Sequence, residues 1–170
     1  MCCLNAKKSG DLGCVALQIE HRLCCLLIQC TWGALQTLLG LGVFLVHRSC
    51  PHQWFYGAVH TCWMKNSGVS LGMFIFTPGN GGDVPVREEV PIRGDASVKL
   101  KVHEYGHTIQ SLLLGPFYLL VIGIPSMVWF RAPRFQKLRV QKQIPYSAFY
   151  TERWADWLGT KVTGLESDGG

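Results

Sequence analysis

From Leu23 to Val46 the chain carries no Asp, Glu, Lys, Arg or His, and a helix of those residues would rise about 36 Å. A bilayer core is about 30 Å thick, so the run predicts a transmembrane helix over 23–46. A second uncharged run extends from Thr108 to Phe130. Two such runs in 170 residues leave little room for an ordinary soluble core, and a hydrophobic content of 48% agrees. The expected class is mainly α, a small helical integral membrane protein. It is read as a single domain over 1–170 with one or two transmembrane or re-entrant segments.

Within the first run Gln29, Gly33, Gln36 and Gly40 recur at helical spacing, so one face is small and polar while the rest is Leu-rich. Such a face packs on another helix in lipid. A signal peptide is the rival reading, since Lys7, Lys8 and Arg22 precede the run, but it is longer than a usual h-region and lacks a clear small-residue cleavage site. The second run is interrupted by Gly115-Pro116 and Gly123-Ile124-Pro125, which predicts a broken apolar segment over 112–130. Breaks at membrane depth are tolerated where protein or a water-lined cavity satisfies the freed backbone groups.

The rest of the chain is less regular. Val69 to Phe76 is apolar and rich in β-formers, and Gly68 and the Pro78-Gly79-Asn80-Gly81-Gly82 cluster bound it, so a strand is expected. A polar loop with room for a second short strand follows to Lys101, giving a strand-and-loop stretch over 69–101. His47 to Asn66 has no clear period. Tyr146 to Gly159 spaces Phe149, Trp154 and Leu158 as a helix and stops at a glycine suited to a C-cap.

Charge and cysteine usage narrow the function classes. Of the net +5, Arg131, Arg134, Lys137, Arg139 and Lys142 follow one another with no acidic residue between them. They come directly after an apolar run, which fits the flank of a membrane segment better than a nucleic-acid surface, so nucleic acid is not expected as a partner. The lipid bilayer is the expected partner. None of the eight Cys forms a C-x-x-C pair, and Cys24, Cys25 and Cys30 lie inside the first run, where thiols act as small hydrophobes. Cys50 and Cys62 have the option of pairing in an oxidising compartment.

The chemistry is carried by His103-Glu104-Tyr105-Gly106-His107, an instance of H-E-x-x-H, on an expected motif helix over 98–114. Four residues apart on a helix, His103 and His107 share a face and can hold one zinc ion. Glu104 is rotated by about 100°, positioned to take a proton from water without competing as a ligand. A catalytic zinc takes three protein ligands, and Glu152-Arg153-Trp154-Ala155-Asp156 offers the missing one. Its spacing places Glu152 and Asp156 on one face, Glu152 as the third ligand and Asp156 as hydrogen-bond acceptor for a ligating imidazole.

H-E-x-G-H followed by E-x-x-A-D resembles the gluzincin metallopeptidases, above all the membrane-bound group of the CAAX prenyl protease and the bacterial inner-membrane heat-shock protease. The resemblance implies His103, His107 and Glu152 as zinc ligands, Glu104 as general base, and Asp156 supporting a ligand. Because the site begins where an apolar run begins, a membrane-associated or unfolded peptide or membrane-protein substrate is expected, in a bacterial inner membrane. The text H-E-Y-G-H-T-I-Q-S also looks like that of small bacterial membrane proteins, a likeness silent on activity.

Other polar residues take plainer readings. His60 is read as structural, Tyr118, Tyr146 and Tyr150 as membrane-interface aromatics, and Trp154 and Trp157 as interfacial anchors. Gln110 and Ser111 either line a substrate groove or bond between helices. The alternative function is a non-catalytic membrane protein acting in assembly, and topology supports it. If both apolar runs cross fully, His103 and Glu152 end on opposite sides, so the peptidase reading requires 112–130 to be re-entrant or the last helix to fold back along it.

Overall fold

The computed structural model describes residues 23–79 and 96–167. They form a mainly helical protein with one small mixed four-stranded sheet. The elements run α1 (Leu23–Thr31), α2 (Ala34–Val46), β1 (His52–Phe55), β2 (Ala58–Trp63), β3 (Val69–Leu71), β4 (Phe74–Pro78), α3 (Ala96–Leu114), α4 (Ile124–Arg131), α5 (Pro133–Lys142) and α6 (Tyr150–Thr163). The glycine-rich segment after Pro78, with most of the loop expected to follow it, lies outside the described residues.

Among the described residues no single helix is long and apolar enough to cross a membrane. The straight helix expected over 23–46 is instead two, turned through 99° between α1 and α2. The break has a hydrogen-bond cause. The Gly33 amide reaches back to the Ile28 carbonyl at 3.0 Å, and the Thr37 hydroxyl donates to the Gln29 carbonyl at 2.9 Å, taking an acceptor that a continuous helix would use. The second apolar run turns through 118° between Phe117 and Leu119. There Gly115 takes a positive φ of 52°, Pro116 interrupts the amide ladder, and a π-helical stretch at Leu119–Gly123 leads into α4.

The sheet has the order β1-β2-β4-β3, with β2 and β4 parallel and both outer pairs antiparallel. Two tight turns build it, Tyr56-Gly57 between β1 and β2, and Gly72-Met73 between β3 and β4. The single strand expected at 69–76 is therefore a hairpin, because Gly72 adopts a φ of 61° that reverses the chain. One sheet face packs Ala58 and Ile75 on Tyr105 and Ile109 of α3, while the other packs Trp63, Phe74 and Phe76 on Val43 and Phe44 of α2. With helices on both faces β2 and β4 show no simple alternation, and β2 leaves the stretch 47–66 without a legible period. No disulfide joins Cys50 to Cys62.

The last helix extends beyond its expected end. Gly159 lies inside α6, and the helix stops at Gly164, whose φ of 71° is the left-handed cap conformation. Gly159 instead serves packing, since a Cβ there would strike the Val102 carbonyl of α3. Gly106 does the reciprocal service, its missing Cβ leaving room for the Ala155 backbone. The two glycines bring α3 and α6 together nearly backbone to backbone.

Candidate metal centre

That close approach sets the site. Gly106 lies within H-E-Y-G-H and Ala155 within E-x-x-A-D, so the two motifs touch through their own small residues. The topology that would separate them does not occur, because the chain turns at Phe117–Leu119 and α6 returns along α3. His103, His107 and Glu152 converge, with one ligand atom from each lying within 4.8 Å of the others, and all three are buried.

Hydrogen bonds settle which atoms face the centre. His103 Nδ1 lies 2.7 Å from Asp156 Oδ1, and His107 Nδ1 lies 2.7 Å from Gln110 Oε1. Both partners are acceptors, so each Nδ1 carries the proton and donates it. In neutral imidazoles both Nε2 lone pairs are then left pointing at one carboxylate oxygen, Glu152 Oε2, at 3.2 and 3.5 Å. That oxygen accepts no hydrogen bond. Three electron-pair donors in a dry pocket are reconciled either by a proton on one imidazole, as the raised His103 pKa allows, or by a metal cation, and two imidazoles with a carboxylate are a divalent-metal donor set. The group has the chemistry and the spacing to hold a metal ion.

The remaining carboxylate oxygen is tied down. Thr151 Oγ1 donates to Glu152 Oε1 at 2.8 Å, and Gln110 Nε2 donates to the Thr151 carbonyl at 2.9 Å. Gln110 thus links His107 to the turn of α6 that carries Glu152. Burial by itself would raise the Glu152 pKa, but hydrogen bonds from His103 and His107, which form when an imidazole carries a proton on Nε2, outweigh it and hold the carboxyl well below the usual carboxylate range. It stays ionised as a ligand must.

Glu104 is buried on the same helix and its carboxylate packs against Gly68, just before β3, where a Cβ would collide with it. β3 is an edge strand of the sheet, so Glu104 packs at the sheet's edge. Ser70 on β3 bonds Thr108 of α3 through their hydroxyls at 2.9 Å, which fixes that edge to the motif helix. Asp156 supports His103 as its spacing implied, and Gln110 does the same for His107.

One tyrosine departs from the interfacial reading. Tyr118 is 3% exposed, near both Glu104 and Glu152, and its hydroxyl makes a long 3.5 Å bond to the Ser70 carbonyl. Tyr146 is exposed, as the interfacial reading expects, while its phenol approaches Ser126 and Glu152. Burial, then the Glu152 charge, raises its pKa, so it remains a protonated donor. The turn at 117–119 brings Tyr118 to this position, and no local pattern announces that. Gln110 had a signal, since three residues after His107 it shares that face. His60 is fully buried between Gln53 and Thr77, and Trp157 is exposed.

Protein-family models, curated proteins and solved structures were all compared with the chain, and none of the three comparisons returns a match.

Proposed function

We propose that the protein is a zinc-dependent metallopeptidase acting at a membrane on peptide segments that are unfolded or lie at the lipid surface. The observation that carries the reading is the meeting of His103 Nε2, His107 Nε2 and Glu152 Oε2, with both Nδ1 atoms already committed to Asp156 and Gln110. Two nitrogens and one oxygen in a buried site are the donors of a catalytic zinc, which leaves a fourth position open.

When bound, zinc supplies Lewis acidity toward a peptide carbonyl and lowers the pKa of water at the site. The chain's residues do the rest. Glu104 takes the proton of the attacking water and delivers it to the departing amine. Asp156 and Gln110 hold the two imidazoles in one tautomer and orientation. An extended substrate lies along the outer edge of β3, where its amide would replace the long Tyr118 bond to the Ser70 carbonyl and bring its backbone beside Glu104.

Support for the membrane setting comes from the inversion of ordinary burial in α2. Gln36, Thr37 and Gly40 face inward while Leu35, Leu38 and Leu45 are more than half exposed. Water would select the opposite arrangement.

Glu104→Gln tests the mechanism. The variant purified in detergent is expected to keep one zinc per chain by elemental analysis and to lose cleavage of a fluorogenic casein or a membrane-anchored reporter. Wild-type hydrolysis in that variant, with contaminating proteases excluded, overturns the proposal.

A further inference from the structure

We infer that the protein is monotopic: both bent helix pairs enter one leaflet of a bilayer and leave on the side they came from, so neither reaches the far face. The inference rests on the membrane part of the proposed function and is independent of its catalytic part.

The geometry of the two breaks comes first. A spanning helix pair continues in roughly one direction, whereas these pairs turn through 99° and 118°, so the second limb of each runs level with or back from the first. The two breaks also meet. A Cβ on Gly115, at the turn of the second pair, would collide with the Trp32 indole at the turn of the first. Both tips therefore stop at one depth.

Limb length agrees with that depth. From Thr108, where the uncharged part of α3 begins, to Phe117 a helix rises about 15 Å, half of a hydrocarbon core about 30 Å thick. The outer surface is apolar on both pairs, with Leu35, Leu38 and Leu45 of α2 and Leu120 and Met127 of the second pair each more than half exposed. Polar side chains at the same level turn inward, and their donors are bonded. Gln29 donates to the Thr108 carbonyl at 3.3 Å, and Gln36 donates to Ser111 Oγ at 2.9 Å and to the Gly115 carbonyl at 3.0 Å. The Gly115 carbonyl at the break thus accepts from Gln36 as well as from the Tyr118 amide, both inside the protein, as backbone within lipid requires.

Charge then assigns the side. Arg22 precedes the first pair and Arg48 follows it, while Lys99 and Lys101 lie at the start of the second pair and Arg131 and Arg134 at its end. Basic residues flank all four ends. Two crossing segments would put this charge on both faces of the membrane, whereas two re-entrant ones put it all on one face, which the positive-inside preference makes cytoplasmic. His103 lies less than one turn beyond Lys101, so the site is at head-group level and opens to that same face.

The unmodified protein in sealed, uniformly oriented membrane vesicles allows the test. Trypsin added to vesicles with the cytoplasmic face outward is expected to reach both Arg48 and Arg134, and in vesicles of the opposite orientation to reach neither. Cleavage of one site in each orientation overturns the inference, because that pattern belongs to a span. A second measurement covers the case in which folding blocks trypsin. Single Cys residues at positions 48, 99, 134 and 117 are placed in a Cys-free background, with circular dichroism verifying the fold. A membrane-impermeant maleimide is expected to label 48, 99 and 134 from one face and 117 from neither, and labelling of 117 from the far face overturns the inference. Protein that stays monodisperse without detergent and does not float with liposomes overturns the membrane part of the proposed function as well, including any reading in which a second copy covers the apolar surface. Zinc content and hydrolysis, measured separately, report on the catalytic part alone.

Discussion

Gly106 of the first motif faces the Ala155 carbonyl of the second so closely that even a methyl group would not fit between them. The glycine inside H-E-Y-G-H is thus an inter-helix contact, and the distance between His107 and Glu152 depends on it. Gly106→Ala is expected to force α3 and α6 apart, lowering stability by roughly 1–3 kcal/mol as overpacked cores do, and to weaken zinc binding. Thermal unfolding and zinc titration check both effects. Gly42→Ala is the control, because a Cβ there meets nothing within 4 Å, and it should leave zinc affinity unchanged.

Gln110 and Asp156 make equivalent bonds to the two imidazoles, each 2.7 Å from an Nδ1. Gln110→Ala and Asp156→Ala are each expected to weaken zinc binding by about 10- to 100-fold without abolishing it, since the ligands remain but lose their fixed orientation. Competition against a metal-binding dye gives the affinities. A Gln110→Ala protein with unchanged affinity would show that His107 needs no such support.

The contact between Gly68 and Glu104 separates catalysis from metal binding. Gly68→Ala pushes a methyl group into the Glu104 carboxylate, which lies on no ligand bond. Hydrolysis is expected to fall at least tenfold while one zinc per chain is retained. Loss of zinc in this variant would mean that Glu104 packing also holds the ligand helix in place.

His60 predicts an acid-side loss of stability. Burial, then the nearby Lys101 charge, pushes its pKa down to about 3. Its Nδ1 accepts from Gln53 Nε2 at 3.0 Å, leaving Nε2 to donate to Thr77 at 2.7 Å, so the folded protein holds the neutral ring. The folded pKa lies below the unfolded value near 6.5, and the unfolded chain therefore binds the extra proton first. This contribution is complete above about pH 6.5 and declines as pH falls toward 3, by at most about 1.4 kcal/mol per pH unit. Chemical unfolding in a metal chelator at pH 7 and pH 5 should show a smaller drop for His60→Gln than for wild type. Equal drops would place the proton uptake elsewhere.

The helical class and the short-range chemistry are legible in the residues alone. A four-residue spacing puts His103 with His107, and Glu152 with Asp156, on shared helix faces whatever surrounds them, because helix geometry is local. The polar stripe Gln29-Gly33-Gln36-Gly40 likewise marks an inward face before any partner is known. Tertiary structure decided everything that depends on direction and distance along the chain. Length and hydropathy cannot tell a spanning helix from one turned through 99°, since the turn arises when Gly33 and Thr37 redirect hydrogen bonds that a straight helix would keep. The strand at 69–76 became a hairpin for a similar reason, as the reversal runs through Gly72 at a positive φ. Gly159, suited by sequence to cap a helix, became a packing contact because Val102 of α3 occupies the space its Cβ would need. The meeting of two motifs about 50 residues apart rests on the turn between Phe117 and Leu119, and hydrogen bonding after that turn decides that three lone pairs face one point.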